Sequence, residues 1–580
     1  MFPLDRVRRG RLAAIGGSIV LLVAACGSAQ PSPTGSAAAE SPGASDSAPS
    51  ASVASGSSPA CAVPAVRAEP IGPWWADRVF YEVFVRSFQD SDGDGIGDLS
   101  GLTNRLDELN DGDPATTADL GVTALWLMPV ADSPSYHGYD VDDYEKVEAD
   151  YGTAADFRAL IATAHDRGIA VIVDLVLNHT SRLHPWFQDS ITPGSAHDNW
   201  YVWSTSKPAF ARSDGTAVWH QAGARWYYAY FWEGMPDLNL KNPDVTAALD
   251  GVGRFWLDEM GVDGFRLDAA RHLIEDGTQL ENTPATFDWL AGYRSRVEAD
   301  RNDAMVLGEV WDATSMASSY VRKGSLDMTF NFDLASATIS SLRATRAGFI
   351  EGSLAEASTA YPDGGMATFL TNHDQNRVID QVGGDPAAAK LAGTLLLTGP
   401  GVPFIYYGEE IGLGGSKPDE QIRRPMRWDA ARPNDGFSEG TPWEPLGDDR
   451  PGTDIATEGG DADSILSRYR DLIRLRAAHP ALARGGVVVA DSTTESVLAF
   501  LRTGADETDL IVANLGDSAV VDPMINLAAG PLCGEPTAEW LFGAEGEVAA
   551  PRVTATGGFD RYVPVTALGP REAVVIGLHR

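Results

Sequence analysis

Short apolar runs alternate with helix-like segments from Trp74 almost to residue 480, and no other feature constrains the fold of this chain as much. The runs are RVFYEVFVRSF (78–88), GVTALWLMPV (121–130), GIAVIVDLVLNH (168–179), GVDGFRLDA (261–269), AMVLGEVW (304–311), LDMTFNF (326–332), MATFLTNHD (366–374) and GVPFIYYGEE (401–410). Several are near-continuously apolar, as expected of parallel strands buried on both faces. Between them lie segments of helical periodicity. In TAADFRALIATAHDRG (153–168), Thr153 is placed as N-cap and Gly168 as C-terminal stop. Periodicity alone would allow each run to be a buried helix. The repeated strand–helix order instead predicts an α/β fold, a closed (β/α)8 barrel of the TIM type over 71–484.

Two further regions do not belong to that repeat. About 55 residues separate His179 from MPDLN (235–239), too long for an ordinary connection. The segment is dense in aromatics (NWYVW 199–203, WHQ 219–221, RWYYAYFW 225–232) and reads as a small inserted domain after strand three, at about 180–238, overhanging the barrel mouth. Most of its rings are expected to form its own core, and a minority to meet a ligand. Beyond residue 485, alternating strands such as SVLAFLRT, DLIVANLG and EAVVIGL predict a C-terminal all-β sandwich over 485–580.

The N-terminus reads as an address and a tether. Arg6, Arg8, Arg9 and Arg11 precede the apolar run 12–25, which is short for a membrane span and ends in Val23-Ala24-Ala25-Cys26. Residues 1–25 are expected to be a signal peptide. The string resembles the bacterial lipobox, which implies cleavage before Cys26 and lipid attachment there. Residues 26–70, Ser/Ala/Pro/Gly-rich, are expected to be a spacer. The expected location is the outer face of a bacterial cell membrane, held by the lipid anchor only. Cys61 and Cys533 either pair across the chain or stay free. A formal net charge of −37 argues against nucleic acid as partner, and nothing implies an oligomer.

In a barrel of this kind, chemistry sits at the C-terminal ends of the strands. Polar residues interrupt the apolar runs there: Asp174, Asn178 and His179 in run three, Arg266 and Asp268 in run four, Glu309 in run five, and Asn372, His373 and Asp374 in run seven. Arg266 and Asp268 lie two apart and so share one strand face. The cation favours an ionised Asp268, as a nucleophile requires. Glu309 sits in apolar surroundings near Trp311, which raises a carboxyl pKa and suits a general acid. Two carboxyls so differentiated are the layout of retaining glycoside hydrolysis.

DLVLNH (174–179), MPDLN (235–239), GFRLDAARH (264–272), GEVW (308–311), FLTNHD (369–374) and GVPFIYYGEEIG (401–412) appear in the order in which the α-amylase family of glycoside hydrolases carries them, and the chain resembles that family from about Trp74 to its end. The resemblance implies Asp268 as nucleophile, Glu309 as acid and base, and Asp374 as transition-state stabiliser. It also implies substrate contacts from His137, Tyr139, His179, Arg266, His272 and His373. MPDLN resembles a form intermediate between the oligo-1,6-glucosidase and neopullulanase branches. IRRPMRW (422–428) resembles the oligo-1,6-glucosidase side and implies Arg423 near the sugar. The ending Arg271-His272 is nearer the Lys-His of many α-amylases. The activity expected is α-amylase action on the α-1,4 bonds of starch, glycogen or maltodextrins. α-Glucosidase or oligo-1,6-glucosidase action, or transglycosylation as in a trehalose synthase, is the alternative. A sugar-binding lipoprotein is the alternative outside enzymes, although it would have no need of a nucleophile and an acid.

The stretch DSDGDGIGD (90–98) begins like an EF-hand loop, but its twelfth position is Gly101 where a bidentate Glu is needed. The family resemblance implies a structural cation site instead, with side chains of Asp90, Asp92, Asp94 and Asp98 and the carbonyl of Ile96, for Ca2+ or, second, Mg2+. It also implies a further calcium at Asn178, Asp237 and the carbonyl of His272. No organic cofactor is expected.

Overall fold

The computed structural model describes residues 72–579. Cys26 with its proposed anchor, the spacer and Cys61 lie outside the described residues. Eight parallel strands close a barrel: β1 (Phe80–Val83), β2 (Ala124–Leu127), β3 (Ala170–Leu175), β4 (Gly264–Leu267), β5 (Met305–Gly308), β6 (Met328–Phe330), β7 (Met366–Phe369) and β8 (Val402–Tyr406). Each strand pairs with the next in sequence, and β8 closes on β1 with Phe80 opposite Phe404.

The strands are shorter than the apolar runs. The first run leaves its strand after Val83 and continues as a helical turn, Val85–Phe88, whose Val85 and Phe88 stay buried. Likewise Phe332 already opens the helix Phe332–Ala344. Apolarity reports burial, and the loops above the barrel are buried too.

Every second strand residue faces the lumen. Phe80, Ala124, Trp126, Ile172, Met305, Leu307, Met328, Phe330, Ala367, Phe369, Val402 and Phe404 fill it as one apolar cluster. Phe80 stacks on Phe404 with centroids 4.3 Å apart, and Phe330 meets Phe404 and Phe369 edge-on. One step further along the same faces the chemistry changes: Phe80 is followed by Glu82, Ile172 by Asp174, and Leu307 by Glu309. The alternation that packs the lumen thus delivers charged groups to its upper rim.

Between β3 and β4 the chain forms a helix, Pro185–Ser190, and a three-stranded antiparallel sheet of Trp203–Ser204, Trp219–Ala222 and Arg225–Tyr228. Trp219, Tyr228 and Tyr230 pack together with Val218 as a separate core. Beyond the barrel, seven antiparallel strands form one sheet, beside a short pair at Val520–Val521 and Ala567–Leu568: β9 (Gly486–Ser492), β10 (Val497–Thr503), β11 (Thr508–Asn514), β12 (Ile525–Leu527), β13 (Thr537–Phe542), β14 (Phe559–Tyr562) and β15 (Ala573–His579). Their order is β13-β15-β11-β10-β9-β12-β14. β9 pairs with β10 through Gly486–Ala490 and with β12 through Asp491 and Ser492, so one sheet bends over itself around a core that includes Leu501, Val512, Ile525, Phe559 and Ile576. Cys533 in this region is disulfide-bonded.

After β8 the pair Glu409-Glu410 is fully enclosed. Glu410 accepts a hydrogen bond from Tyr81 at 2.6 Å and Glu409 one from Tyr469 at 2.8 Å. Burial lifts Glu409 to about 8 and Glu410 to about 7. Both folded values exceed the unfolded ones, so between the unfolded value and about 8 the native state binds more protons. Stability from this pair therefore falls as pH rises across that window. Glu409→Gln, which mimics the neutral acid, is expected to flatten the decline in unfolding free energy between pH 5 and pH 9, by roughly a few kcal/mol at the alkaline end. An unchanged pH profile would remove this assignment.

Candidate active site

A cavity of about 460 Å³ opens at the C-terminal rim of the barrel. Its walls include Asp268, Glu309 and Asp374 from the ends of β4, β5 and β7, together with His137, Tyr139, His179, His272 and Arg423. Arg266 and His373 lie beneath this wall and are fully buried.

Arg266 is the hub. It stands level with Asp174 in the β3–β4 register. Its Nη1 donates to both Asp174 oxygens at 2.9 and 3.0 Å and to Asp268 Oδ1 at 2.8 Å, while Nη2 lies 2.9 Å from Glu309 Oε2. Burial alone would disfavour this cation, but Asp174, Glu309 and Asp268 around it more than restore the charge. The sequence pairing of Arg266 with Asp268 understates its reach: one guanidinium serves three carboxylates from three strands. The aromatic face of Trp126 lies beneath it, 5.2 Å from the guanidinium carbon.

Ala269, next to Asp268, adopts φ 51°, left-handed, and its N–H donates to Glu309 Oε2 at 3.0 Å. That conformation costs roughly 1–2 kcal/mol for a residue with a Cβ. It brings a backbone donor against the Glu309 carboxylate. Burial nevertheless raises the Glu309 pKa, with Arg266 opposing and Asp268 and Asp374 adding to the rise. Asp374 goes the other way. Burial opposes its ionisation, yet His373, Arg423 and Arg266 hold its carboxyl far below the usual range.

His373 is pushed up to about 10: burial opposes its charge, but Asp374 and Glu82 more than offset it. Its Nδ1 lies 2.5 Å from Glu82 Oε1 and its Nε2 lies 2.7 Å from the Tyr139 hydroxyl and 3.2 Å from Asp374. As an imidazolium it donates from both nitrogens, and Tyr139 passes its own O–H to Asp174 at 2.9 Å. A belt thus runs Glu82–His373–Tyr139–Asp174–Arg266 and ends on Asp268 and Glu309. Arg423 closes the opposite side, donating to Asp374 at 3.1 Å and to the His373 carbonyl at 2.9 Å.

His179 has a buried Nε2 with no hydrogen-bond partner among the described residues, and burial lowers its pKa to about 4. It is a neutral imidazole on the cavity wall with bonding capacity to spare. His272, lowered to about 3 by burial and Arg271, stacks on Tyr230 at 4.1 Å. His137 is lowered by burial and accepts the Tyr139 N–H at 3.1 Å.

Sequence reasoning missed part of the wall, Arg212, Met235 and Asp419, while Arg271, singled out with His272 in the sequence, does line it. It also left Glu82 and the Asp174 contact unassigned. Glu82 had a signal, a charge inside an otherwise buried strand. Of the insert's aromatic runs, Tyr230, Phe231 and Trp232 reach the cavity, while Trp203 packs on Phe187 and Trp219 on Tyr228. Trp311 lines the rim, half exposed, stacked on Phe332 at 4.6 Å.

In the acidic loop, one oxygen each of Asp90, Asp92 and Asp98 lie within 4.8 Å of one another. The loop also clasps the segment 437–443: Asp90 accepts from Ser438 Oγ at 2.5 Å and from Gly93 and Gly95 N–H groups at 2.7 and 2.8 Å. Asp94 turns to the N–H of Ile96 at 2.8 Å and is not among the three that converge. The all-oxygen donors suit a hard cation such as Ca2+, whose remaining positions neighbouring oxygens would have to fill. At the other expected metal position, Asn178 donates to Asp237 at 3.1 Å and leaves its own Oδ1 buried without a partner among the described residues. An orphaned acceptor beside a buried carboxylate also fits a cation. The His272 side chain belongs to the cavity wall.

The family model for the alpha amylase catalytic domain matches residues 82–485. Alpha-amylase 3 of Dictyoglomus thermophilum is 41% identical over 454 residues, covering 76% of this chain and 85% of that protein. A probable alpha-glucosidase of Rhizobium meliloti is 34% identical over 538 residues, covering 80% and 94%. The crystal structure of alpha-amylase from H.orenii superposes with a TM-score of 0.72 at 38% identity, covering 87% of this chain and all of that one.

Proposed function

Because this chain belongs to the α-amylase family of glycoside hydrolases, we propose that it is an α-amylase, cleaving α-1,4 bonds of starch, glycogen or maltodextrins by a retaining double displacement. The observation that carries this reading is the differentiated set of carboxyls on one cavity: Asp268 paired with Arg266, Glu309 raised, Asp374 held ionised. Asp268 attacks the anomeric carbon while Glu309 protonates the departing oxygen. Water, deprotonated by Glu309, then releases the sugar from Asp268. Asp374, with His373 and Arg423 fixing it, binds hydroxyls of the reacting ring. His137, His179, Tyr139 and His272 position that ring and its neighbour. The test is incubation with maltoheptaose and assay of new reducing ends; no release under calcium-replete conditions sinks the hydrolase reading.

The R. meliloti relative's name supports a second reading, α-glucosidase action from the chain end. The time course of maltoheptaose products separates them: early maltose, maltotriose and maltotetraose mark internal cutting, glucose released with a chain shortened one unit at a time marks the exo reading, and trehalose or longer chains mark transfer.

Ca2+ at Asp90, Asp92, Asp98 and neighbouring oxygens would fasten the first β/α loop, and Asn178 with Asp237 would hold a further ion. Dialysis against EDTA is expected to lower the melting temperature by several degrees and calcium to restore it, as loss of a bound ligand dictates. No shift would count against both sites. The Cys26 motif supports lipid tethering at the outer face of the cell membrane. Cys26→Ser is expected to release activity from cells into the medium; equal release by the parent chain would end that reading.

A further inference from the structure

A second group of ligand-type atoms lies outside the cavity, where the last helices of the barrel meet the β10–β11 hairpin. His479 stands between the helices Ile465–Ala478 and Pro480–Arg484; Glu507 is in the hairpin turn, and Asp509 lies in β11. A His479 ring nitrogen and one carboxylate oxygen each from Glu507 and Asp509 lie within 4.8 Å of one another.

Asp509 makes this more than a crowded surface. It is fully buried, and neither of its oxygens has a hydrogen-bond partner among the described residues. A buried charge without a partner is costly to the fold. The obvious partner is engaged elsewhere. Arg502 lies directly opposite Asp509 in the β10–β11 register, but its guanidinium donates to the carbonyls of Thr398, Gly399 and Gly485. His579 is also turned away, its Nε2 lying 2.8 Å from Glu539. Burial and Glu507 raise the Asp509 carboxyl above its ordinary range.

We propose that His479, Glu507 and Asp509 form a divalent-metal site, with Zn2+ as the ion their donor set suits, tying the end of the barrel to the C-terminal sheet. One imidazole nitrogen with two carboxylate oxygens is a borderline set, nitrogen favouring a first-row transition ion over Ca2+. The His479 Nδ1 to Glu507 Oε2 distance is 3.4 Å, close to the edge of about 3.3 Å that Zn–N and Zn–O bonds of ordinary length subtend in a tetrahedron. Glu507 Oε1 is meanwhile fixed by the Ala481 N–H at 2.5 Å, so Oε2, whose one partner is the long contact to His479 Nδ1, is the oxygen that would turn to the ion. Partly exposed His479 and Glu507 give the ion a way in, and a water would complete the fourth position.

The test is isothermal titration of ZnCl2 into the chelator-dialysed full-length protein with calcium in excess, beside Asp509→Asn and His479→Gln. One equivalent binding to the parent chain, weakened at least tenfold in both variants while maltoheptaose hydrolysis is kept, is the expected result. Zinc should also raise the melting temperature of the parent and leave that of Asp509→Asn unmoved. No tight zinc uptake by the parent, or equal uptake by both variants, overturns the proposal. A variant whose circular dichroism shows misfolding is replaced by Glu507→Gln, judged by the same two readouts.

Discussion

Asp268→Asn is expected to lower kcat on maltoheptaose by roughly 10⁴-fold or more while leaving the fold intact, since removing one member of a concerted catalytic set costs that order. Asn fills the same space and keeps an oxygen for Arg266, but it has no charge with which to attack carbon. Glu309→Gln should fall comparably on the same substrate, for a different reason: it cannot give up a proton to the leaving oxygen. The two separate on α-glucosyl fluoride, whose leaving group needs no acid. There the Glu309 variant should recover much of its first step and the Asp268 variant none. More than a hundredth of parental activity in Asp268→Asn, or recovery by both variants on the fluoride, would reverse or cancel the roles.

Arg266→Met is expected to destabilise the protein by about 3–5 kcal/mol and to abolish activity, because it strands buried charge from Asp174, Asp268 and Glu309 together. Met matches much of the volume, so the loss would be electrostatic rather than a cavity effect. Arg266→Lys should recover little, since a single ammonium cannot direct planar, separate donors at three carboxylates. Urea unfolding followed by tryptophan fluorescence measures this directly. A variant as stable as the parent would mean that Asp174 and its neighbours are held by something other than this guanidinium.

Much of this was legible in the chain. Parallel strands buried on both faces leave a strong mark, so the barrel and the rim positions of Asp268, Glu309 and Asp374 could be read from polar interruptions in apolar runs. The belt below them could not. Glu82 and His373 are 291 residues apart and meet only because β8 pairs with both β1 and β7, which brings the two within reach across one strand. Arg212, Met235 and Asp419 come from loops, where no periodicity says which side chain turns inward. The insert's rings posed the same difficulty: composition marked the region as aromatic, but only the fold separates Trp203 and Trp219, which pack its core, from Phe231 and Trp232, which reach the cavity. In the acidic loop the pattern of aspartates was plain, whereas its grip on Ser438 lay far along the sequence.

The belt has a bearing on when this protein can act. Its members are drawn from both ends of the barrel: Glu82 is made near the beginning, and the segment carrying His373, Asp374 and Arg423 arrives hundreds of residues later. A chain whose later segment has not joined the barrel lacks the imidazolium and guanidinium that orient Asp374. Hydrolysis therefore switches on only with ring closure, and a turnover assay doubles as a readout of completed folding, sensitive to molecules in which a single seam between strands has come apart.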